Sequence, residues 1–481
     1  MTKTVVAITE TTNTRSFNLR VFGCQMNSYD GELIRGAFSR AGYREELNPE
    51  AADVVLFHTC SVREHAEERV HSLLGALKRT KRERPHVVLG VVGCMADRES
   101  EELFEREPHV DLVCGSRHFP KLPKLVEKVI SGEGRVLLVG DSDFAVDAPV
   151  RDLAGHPGGF SSQVAIMRGC DLNCSFCIVP SVRGRVESRP IKDILDECRR
   201  LVERGTTEIS LLGQTIDSYG VDLSSSGSIP QLARLLDELA EVEGLRRIRL
   251  ITLHPAYCND ELVEALARSP QFMRFLPIPL QSGSDSVLKR MKRGYTLDLY
   301  RKRIQKLREK MPDLELVSDW IVGFPGETER DFEASVDAMK EFGFLHSYVF
   351  QYSPRPGTPS TQLEDDVPAQ EKGRRNRLLL DLQAEIARER TSSQVGKAGS
   401  LMLDLRPEKN PGYWRGKLQT GHSALLPDPD GLLRPGLQIP VQIQDWQGKE
   451  LFVESVLSQK KVLEMQAKIP TAQVESSILD V

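Results

Sequence analysis

Short runs of apolar, β-branched residues alternate with amphipathic stretches along most of the 481-residue chain. This alternation predicts parallel strands that are joined by crossover helices, so we expect an α/β fold. The sequence contains no internal repeat of fixed period. A chain of this length exceeds one ordinary domain, and we therefore expect two or three domains.

The first domain, residues 17–140, is predicted to form a doubly wound parallel sheet. Its strands are predicted at residues 17–22, 54–59, 87–92 and 110–113. A cysteine follows each of the first three strands: Cys24, Cys60 and Cys94. The carboxyl ends of parallel strands meet at one edge of a sheet, so these thiols can converge there and hold a metal cluster. The alternative for each cysteine taken singly is a small buried residue at a strand end.

The surroundings of Cys60 add a local detail. Ser61 and Glu64 fit an S-x-x-E capping box, which would place the Cys60 thiol beside a helix N-terminus and favour its thiolate form. Three cysteines outside the proposed sets are interpreted as buried packing residues: Cys114, Cys198 and Cys258.

Residues 141–162 are rich in Gly, Pro and Asp and predict a linker. Residues 163–392 then repeat the strand and helix alternation six times, which predicts a partial (β/α)6 barrel. The six strands are predicted at residues 163–167, 208–212, 247–252, 275–280, 315–322 and 346–352. In parallel barrels the reacting groups lie at the carboxyl ends of the strands, so the residues that follow these strands are the candidates.

Several of these strands are followed by polar or Gly-rich residues, among them Gln214, His254, Ser282 and the turn 323–327. Each of them alone is ordinary loop chemistry, and His254 alone is more typical of a structural histidine than of a base. In the turn, the glycines permit close approach of a ligand, and apolar neighbours can line an adenine site.

Cys170, Cys174 and Cys177 follow the first predicted barrel strand with Cys-x3-Cys-x2-Cys spacing. Three thiolates on a short loop suit a cubane iron–sulfur cluster with one open iron, whereas structural zinc takes four ligands. The alternatives are a zinc loop that takes its fourth ligand from elsewhere and three unligated thiols.

Residues 393–458 contain short apolar runs between Pro, Gly and Asp turns, which predicts a small antiparallel β-barrel, and residues 459–481 predict a polar tail. Such barrels often bind RNA, and Tyr413 and Trp414 are candidates for stacking on bases. Aromatic residues on barrel strands more often belong to the core. The segment 396–458 has seven Lys and Arg and seven Asp and Glu, so it has no basic excess.

The formal net charge of −5 gives no overall signal for nucleic acid. Two basic segments flank the predicted barrel mouth and are candidates for phosphate contact, with solvated cationic faces as the alternative. They contain Arg183, Arg185 and Arg189 in one case, and Lys289, Arg290, Lys292 and Arg293 in the other. The polar amino terminus and the absence of a long apolar stretch predict no membrane attachment, and nine cysteines fit a reducing compartment, so we expect a cytoplasmic protein.

From about residue 17 to residue 457 the chain resembles the radical S-adenosylmethionine (SAM) methylthiotransferases, which carry an amino-terminal cluster domain, a radical SAM domain and a TRAM domain. The cysteine triplet, with Phe176 before its last cysteine, is similar to the superfamily motif. The motifs at 23–27, 59–64 and 93–96 look like those of the branch that acts on N6-dimethylallyladenosine in tRNA. The chain departs from the family pattern at His58, at Trp320 and in the charge of its TRAM region.

This resemblance implies two 4Fe-4S clusters, one on Cys170, Cys174 and Cys177 and an auxiliary one on Cys24, Cys60 and Cys94. It also implies SAM, for which the candidate contacts are Phe176, Gln214, Ser282, Ile321, Gly323 and Glu327. The implied reaction methylthiolates carbon 2 of N6-dimethylallyladenosine at position 37 of tRNA, next to the anticodon, and uses two SAM molecules. The implied partners are tRNA and a flavodoxin- or ferredoxin-type electron donor, the sulfur donor is undetermined, and we expect a monomer.

Two kinds of alternative remain at this point. The first is a methylthiotransferase with another substrate, either threonylcarbamoyl-adenosine in tRNA or an aspartate of a ribosomal protein. The second is a non-enzymatic, metal-containing protein that only binds RNA, for which the cysteines and the small barrel would suffice.

Overall fold

The computed structural model describes residues 14–61, 64–140, 151, 158–223 and 230–467, without the side chains of residues 64–66. The predicted linker therefore lies mostly outside the described residues. The chain forms two compact units, Met1–His156 and Pro157–Val481. Among the described residues, no helix combines the length and the apolar character that a bilayer span requires.

The first unit contains a six-stranded sheet in the order β2-β1-β3-β4-β5-β6, in which every pairing is parallel. Its strands are β1 (Ser16–Val21), β2 (Arg44–Glu45), β3 (Val54–Thr59), β4 (Val88–Gly93), β5 (Leu112–Cys114) and β6 (Val136–Leu138). Its helices are α1 (Gln25–Arg40), α2 (Glu64–Ala76), α3 (Lys78–Glu83), α4 (Cys94–Glu99), α5 (Glu102–Arg106) and α6 (Leu122–Ile130). The strand order reverses beside β1, as in doubly wound folds, and confirms the predicted class.

Both faces of this sheet are covered, so its central strands are apolar on both sides. On β3, Val54 and Leu56 belong to one core cluster, and Val55 and Phe57 belong to the other. Cys114 lies within the first cluster and is fully buried, which agrees with its interpretation as a packing residue.

The second unit begins with a partial barrel of six parallel strands. Its strands, with a short hairpin formed by β8 and β9, are β7 (Ser161–Ala165), β8 (Met167–Arg168), β9 (Glu187–Ser188), β10 (Glu208–Leu212), β11 (Arg247–Leu250), β12 (Phe275–Pro277), β13 (Glu315–Val322) and β14 (His346–Gln351). Its helices are α7 (Val179–Arg183), α8 (Ile191–Glu203), α9 (Leu232–Ala240), α10 (Asp260–Arg268), α11 (Asp285–Arg290), α12 (Leu297–Lys310), α13 (Glu329–Phe342) and α14 (Ala369–Ser392).

The six barrel strands form two three-stranded sheets, β7-β10-β11 and β12-β13-β14. A single parallel bridge between Ile248 and Phe272 connects the two sheets. The strand β12 ends three residues earlier than predicted, because Pro277 and Pro279 have no N–H with which to continue the ladder. The partial (β/α)6 architecture is otherwise as predicted.

The chain then forms a closed five-stranded barrel in the order β15-β16-β17-β19-β18. Its elements are β15 (Ala398–Leu405), β16 (Tyr413–Leu418), β17 (Ser423–Pro427), β18 (Gln438–Gln447), β19 (Glu450–Ser455) and the helix α15 (Gln459–Gln466). The pairing of β17 with β19 is parallel, and the other pairings are antiparallel as predicted. The predicted tail begins as α15, whose Val462 joins the barrel core, and residues 468–481 lie outside the described part.

This small barrel packs against the amino-terminal ends of the partial barrel's strands. Arg247, the first residue of β11, donates to the carbonyl oxygen of Lys417 at 3.0 Å. Thr207, just before β10, donates to the carbonyl oxygen of Gly436 at 3.1 Å, and Gln419 donates to that of Phe272 at 2.6 Å. The small barrel therefore forms a floor opposite the carboxyl ends at which parallel barrels carry their chemistry.

Candidate functional site

The loop that carries Cys170, Cys174 and Cys177 leaves the top of the partial barrel between β8 and α7. Gly169 has a φ of +74°, and a Cβ there would collide with the carbonyl oxygen of Arg185. The next residue, Cys170, donates its N–H to the carbonyl oxygen of Gly184 at 3.1 Å. Only glycine fits at position 169, so the loop is held against the turn at residues 184 and 185.

Ser175 fixes the middle of the same loop. Its N–H donates to the carbonyl oxygen of Met291 at 2.9 Å, and its hydroxyl donates to that of Arg290 at 2.8 Å. Its own carbonyl oxygen accepts from the N–H of Ser360 at 2.8 Å. Bonds to two distant segments therefore limit the movement of the thiols.

The three thiols lie in one electrostatic environment. Burial and, to a smaller extent, the neighbouring cysteines of the loop raise the pKa of Cys170, and together they raise that of Cys177 to about 11. Such thiols give up their protons when a metal supplies the compensating positive charge. Three convergent soft sulfur donors fit an iron–sulfur cluster.

No three His, Cys, Asp or Glu side chains in the described ranges stand close enough to share a single metal ion. A cubane cluster makes a different demand, because each of its thiolates binds a separate iron.

Arg293 is a charged residue in direct contact with a sulfur of the cysteine loop. It is buried, and its guanidinium donates to the Cys174 sulfur at 3.2 Å, to the Tyr295 hydroxyl at 3.1 Å and to the carbonyl oxygen of Pro279 at 3.4 Å. Nearby, burial raises the pKa of Asp319 to about 6, and Arg293 limits that rise. A guanidinium remains charged in proteins, so a fixed positive charge stands beside Cys174.

A neutral polar pair lies in the same part of the lumen. A carboxyl oxygen of Asp217 accepts from the backbone N–H of His254 at 2.8 Å, and burial raises the pKa of Asp217 to about 8. Burial, together with Arg293, lowers the pKa of His254 to about 3. Asp217 Oδ1 and His254 Nε2 have no hydrogen-bond partner among the described residues. His254 is therefore neutral at pH 7 and has too low a pKa for an efficient base.

The six candidate SAM contacts have different surroundings. Phe176 and Ile321 pack against one apolar cluster that contains Phe324 and Tyr352. Gln214 has a side-chain oxygen with no partner within the described residues, and Ser282 is buried beside Ser335 at 3.4 Å. The apolar cluster is compatible with an adenine site.

Glu327 holds the Gly-rich turn in place. One of its carboxylate oxygens accepts from the N–H of Gly323 at 2.5 Å and from Arg375 of α14 at 2.8 Å. The side chain is 4% exposed, so this interaction fixes the turn from inside the protein. The described contacts of Glu327 thus stabilise the conformation of the turn.

In the first unit, Cys24, Cys60 and Cys94 follow β1, β3 and β4, which are neighbours in the sheet. Thr59 and Gly93 are paired in register, so Cys60 and Cys94 leave the sheet side by side. Gly23 has a φ of +123°, and a Cβ there would collide with the Cβ of Cys60. The three cysteine segments therefore converge at one carboxyl edge, and their sulfur donors suit a second cluster.

The three cysteines at this edge differ in how far they are buried. Cys60 and Cys94 are buried, whereas Cys24 is exposed and its sulfur lies 3.3 Å from the Asn27 side-chain oxygen. His58, one of the departures from the family pattern, lies beneath them with Nδ1 at 3.2 Å from the carbonyl oxygen of Val92.

The predicted capping box is not formed by Ser61. Its hydroxyl is buried without a hydrogen-bond partner among the described residues, and α2 begins only at Glu64. The side chain of Glu64 lies outside the described part of the chain.

The basic segments divide into structural and exposed residues. Arg189 forms an ion pair with Glu197 at 2.7 Å, and Arg290 donates to the carbonyl oxygens of Pro325 and Gly326. Arg183 and Arg293 are buried. The residues that remain exposed for phosphate contact are Arg185, Lys289 and Lys292.

Two tryptophans that the sequence analysis singled out, Trp320 and Trp414, lie in the protein core. Trp320 is fully buried and donates to the Ser347 hydroxyl at 3.2 Å, on the face of β13 opposite to Asp319. Trp414 is buried in the core of the small barrel and donates to Asp428 at 3.0 Å. Neither indole is available to a ligand.

Comparisons with known proteins agree with this geometry. The Radical SAM superfamily profile matches residues 164–339, and the profile of the Uncharacterized protein family UPF0004 matches residues 16–115. The tRNA-2-methylthio-N(6)-dimethylallyladenosine synthase of Carboxydothermus hydrogenoformans is 37% identical over 447 residues, which cover 92% of this chain and 99% of the relative. The chain belongs to the radical-SAM methylthiotransferases. A relative of the same name from Neisseria meningitidis is 41% identical over 398 residues, or 82% of this chain and 89% of the relative.

This methylthiotransferase also shares its fold with a solved structure, the radical S-adenosylmethionine methyltransferase TsrM from Kitasatospora setae. The TM-score is 0.53 at 15% identity, and the match covers 72% of this chain and 77% of that chain. At this identity the likeness concerns the fold alone. Radical SAM enzymes use SAM and a 4Fe-4S cluster, so this methylthiotransferase is a SAM-dependent iron–sulfur enzyme.

Proposed function

We propose that this methylthiotransferase adds a methylthio group to carbon 2 of N6-dimethylallyladenosine at position 37 of tRNA, beside the anticodon. It works in the cytoplasm and uses two SAM molecules and two 4Fe-4S clusters. The observation that carries the proposal is the presence of two separate sets of three cysteines, each at the carboxyl edge of its own parallel strands. Relatives named for this reaction match most of the chain.

The two cysteine sets have separate tasks. Cys170, Cys174 and Cys177 hold the cluster that binds SAM, and the set of Cys24, Cys60 and Cys94 holds the auxiliary cluster. When bound, these groups and SAM supply the sulfur, the methyl group and the radical that removes hydrogen from carbon 2. A radical is needed because this C–H is too weakly acidic for any side-chain base.

The residues of the lumen bind and orient. Phe176 and Ile321 offer an apolar wall for the adenine of SAM, and Gly323 presents its backbone at a turn that Glu327 holds still. Gln214 has an unpartnered oxygen with which to accept from a bound ligand, among the described residues. Ser282 shapes the same rim from a buried position.

The remaining lumen residues supply a fixed electrostatic setting. Arg293 places a permanent positive charge beside Cys174, while Asp217 and His254 remain uncharged at pH 7. The small barrel closes the floor through Arg247 and Thr207 and so limits access of water from below. Exclusion of water protects a reactive intermediate from side reactions.

The reaction also requires partners that the chain does not contain. A one-electron donor of the flavodoxin or ferredoxin type would reduce the SAM-binding site, and the enzyme would act as a monomer on tRNA. The sulfur donor is left open in this proposal.

The test is an anaerobic reconstitution of the full chain with iron and sulfide. Iron and sulfide are quantified per chain, and the reduced protein is incubated with SAM and prenylated tRNA while nucleosides are followed by mass spectrometry. We expect about eight irons, as two 4Fe-4S clusters require, and a 2-methylthio nucleoside. SAM cleavage with unmodified tRNA would overturn the substrate, and bound zinc without cleavage would leave only an RNA-binding protein.

A further inference from the structure

The last strand of the partial barrel, β14, exposes two aromatic side chains. Tyr348 is 52% exposed and Phe350 is 50% exposed, and no other Phe, Tyr or Trp among the described residues is as open. Their rings are nearly parallel, with 6.5 Å between centroids and 17° between planes. Paired aromatic rings that the fold does not bury indicate a binding surface.

The two rings lie on the lumen face of the barrel wall. Tyr348 is paired in register with Asp319, and Phe350 is paired with Ile321, so each pair points to the same side of the sheet. Ser347, which directly precedes Tyr348, points the other way and accepts from Trp320. The rings thus share a wall with Asp319 and Ile321.

This wall leads directly to the cysteine loop. The charge of Arg293 acts on Asp319, and Arg293 donates to the Cys174 sulfur at 3.2 Å. Ile321 packs against the same apolar cluster as Phe176, which lies within the cysteine loop. A ligand on the two rings would therefore lie next to the site of the reaction.

The open side of the barrel explains why the rings are accessible. Among the described strands, β14 pairs only with β13, because six strands do not close the barrel. The edge of β14 that faces away from β13 has no partner strand in the described part of the chain.

The amino-terminal end of this face is bordered by positive charge. The ring of His346 packs edge-on against Tyr348, with centroids 4.6 Å apart. Burial lowers the pKa of His346, and the charges of Lys417 and Lys449 in the small barrel lower it further. Lys449 is exposed, so it is available to an anionic ligand.

Aromatic rings bordered by cations match the chemistry of unpaired nucleotides, which offer flat bases and negative phosphates. A protein partner would need about 800 Å² of complementary surface on each side. The polar residues His346 and Gln351 lie on either side of the two rings and limit the apolar surface there. We infer that Tyr348 and Phe350 stack on an unpaired base of the tRNA anticodon loop that neighbours the target adenosine, with Lys449 near its phosphate. This inference rests on the proposed function.

The test measures binding of a fluorescein-labelled, prenylated anticodon stem-loop RNA to the reconstituted enzyme by anisotropy. We expect Tyr348→Leu and Phe350→Leu each to weaken binding about tenfold, which corresponds to about 1.4 kcal/mol. Tyr348→Phe keeps the ring and should bind within twofold of the wild type. In parallel, 2-aminopurine next to the target base should be quenched by the wild type and not by Tyr348→Leu.

Two matched variants separate stacking from other effects. Leu380→Ala removes an exposed apolar side chain of similar openness on α14 and should leave affinity unchanged. Lys449→Gln should reduce the slope of log Kd against log salt by about one, whereas Tyr348→Leu should leave that slope unchanged. Iron content and SAM cleavage without RNA should be the same in all these variants.

The outcomes distinguish this inference from the proposed function. If the wild type methylthiolates the stem-loop but Tyr348→Leu binds it as tightly, the stacking site is wrong and the proposed function stands. If the wild type cleaves SAM and never modifies the RNA, both fail. If the wild type forms a dimer that Tyr348→Leu abolishes while RNA binding is unchanged, the rings serve self-association and the inference is overturned.

Discussion

The two cysteine sets of this methylthiotransferase are built in opposite ways. Cys170, Cys174 and Cys177 lie within eight consecutive residues of one loop, which hydrogen bonds to Gly184, Met291 and Ser360 hold in place. The other set is spread over 71 residues, from Cys24 to Cys94, and the register of three strands brings it together. The first set depends on local geometry, whereas a slip of one residue between strands would disperse the second.

The largest expected effects come from removing one thiol of each set. We expect Cys174→Ala to abolish SAM cleavage, because the proposed SAM-binding cluster would lose a ligand. Cys60→Ala should spare SAM cleavage and abolish transfer of the methylthio group. Both activities are read in one anaerobic assay, by deoxyadenosine release and by nucleoside mass spectrometry.

The matched controls are buried cysteines outside both sets. Cys198→Ala in the second unit and Cys114→Ala in the first should keep both activities and full iron content. Equal loss of both activities in Cys174→Ala and Cys60→Ala would contradict the division of labour between the sets.

A second experiment tests whether a residue distant in sequence stabilises the loop of Cys170, Cys174 and Cys177. Arg293, 119 residues from Cys174 in sequence, is buried against its sulfur. Removal of one partner of a buried, charged contact typically costs about 3 kcal/mol, so Arg293→Met should lower the free energy of unfolding by about that amount. Urea unfolding of the iron-free protein measures it. The exposed neighbour Lys289→Ala should change it by less than about 0.5 kcal/mol, and equal effects would show that Arg293 does not support the loop.

Asp319, on the β13 wall near Arg293, offers a pH-dependent test. Burial raises the pKa of Asp319 from an ordinary 3.8 to about 6, so folding favours its protonated form. This contribution is fully present below about pH 4 and is lost as the pH rises through 6. Asp319→Asn should match the wild type in stability at pH 4 and exceed it by up to about 3 kcal/mol above pH 7. A stability difference that does not change with pH would contradict the buried, uncharged state.

The smallest effect concerns the dispersed set. Gly23→Ala introduces a Cβ against Cys60 at a positive φ, and we expect it to cost about 2 kcal/mol and to lower iron content toward four per chain. Gly42 also has a positive φ, but a Cβ there would meet nothing within 4 Å. Gly42→Ala should therefore cost only about 1 kcal/mol and keep full iron content, as measured by urea unfolding and iron analysis. If both variants lose iron equally, the close approach of Gly23 to Cys60 is irrelevant to the site.

Much of this architecture could be predicted from the sequence. The strands at 54–59, 208–212 and 315–322 coincide with the observed ones, because buried parallel strands are continuous apolar runs. The topology rule for parallel sheets also predicted that Cys24, Cys60 and Cys94 share one edge, which the strand order supports.

Other features had no signal in the sequence. Arg293 belonged to a basic segment for which phosphate contact and a solvated cationic face were the alternatives, and no spacing rule connects it with Cys174. Asp217 follows β10 within a turn and matches no motif. Tyr348 and Phe350 have the pattern of an ordinary strand. Their side chains are exposed because β14 has no second neighbouring strand within the described ranges, and whether a barrel closes cannot be seen in the sequence of a single strand.

The floor formed by the small barrel has a consequence for any shortened chain. Arg247 is fully buried and donates to Lys417, with Glu208 at 3.6 Å as its ionic neighbour. A chain that ended after α14 would uncover this arginine and leave Phe275, now packed against Gly421, open to water. The carboxyl-terminal barrel therefore covers buried surface of the catalytic domain. Its deletion should cause aggregation, and not only a loss of RNA binding.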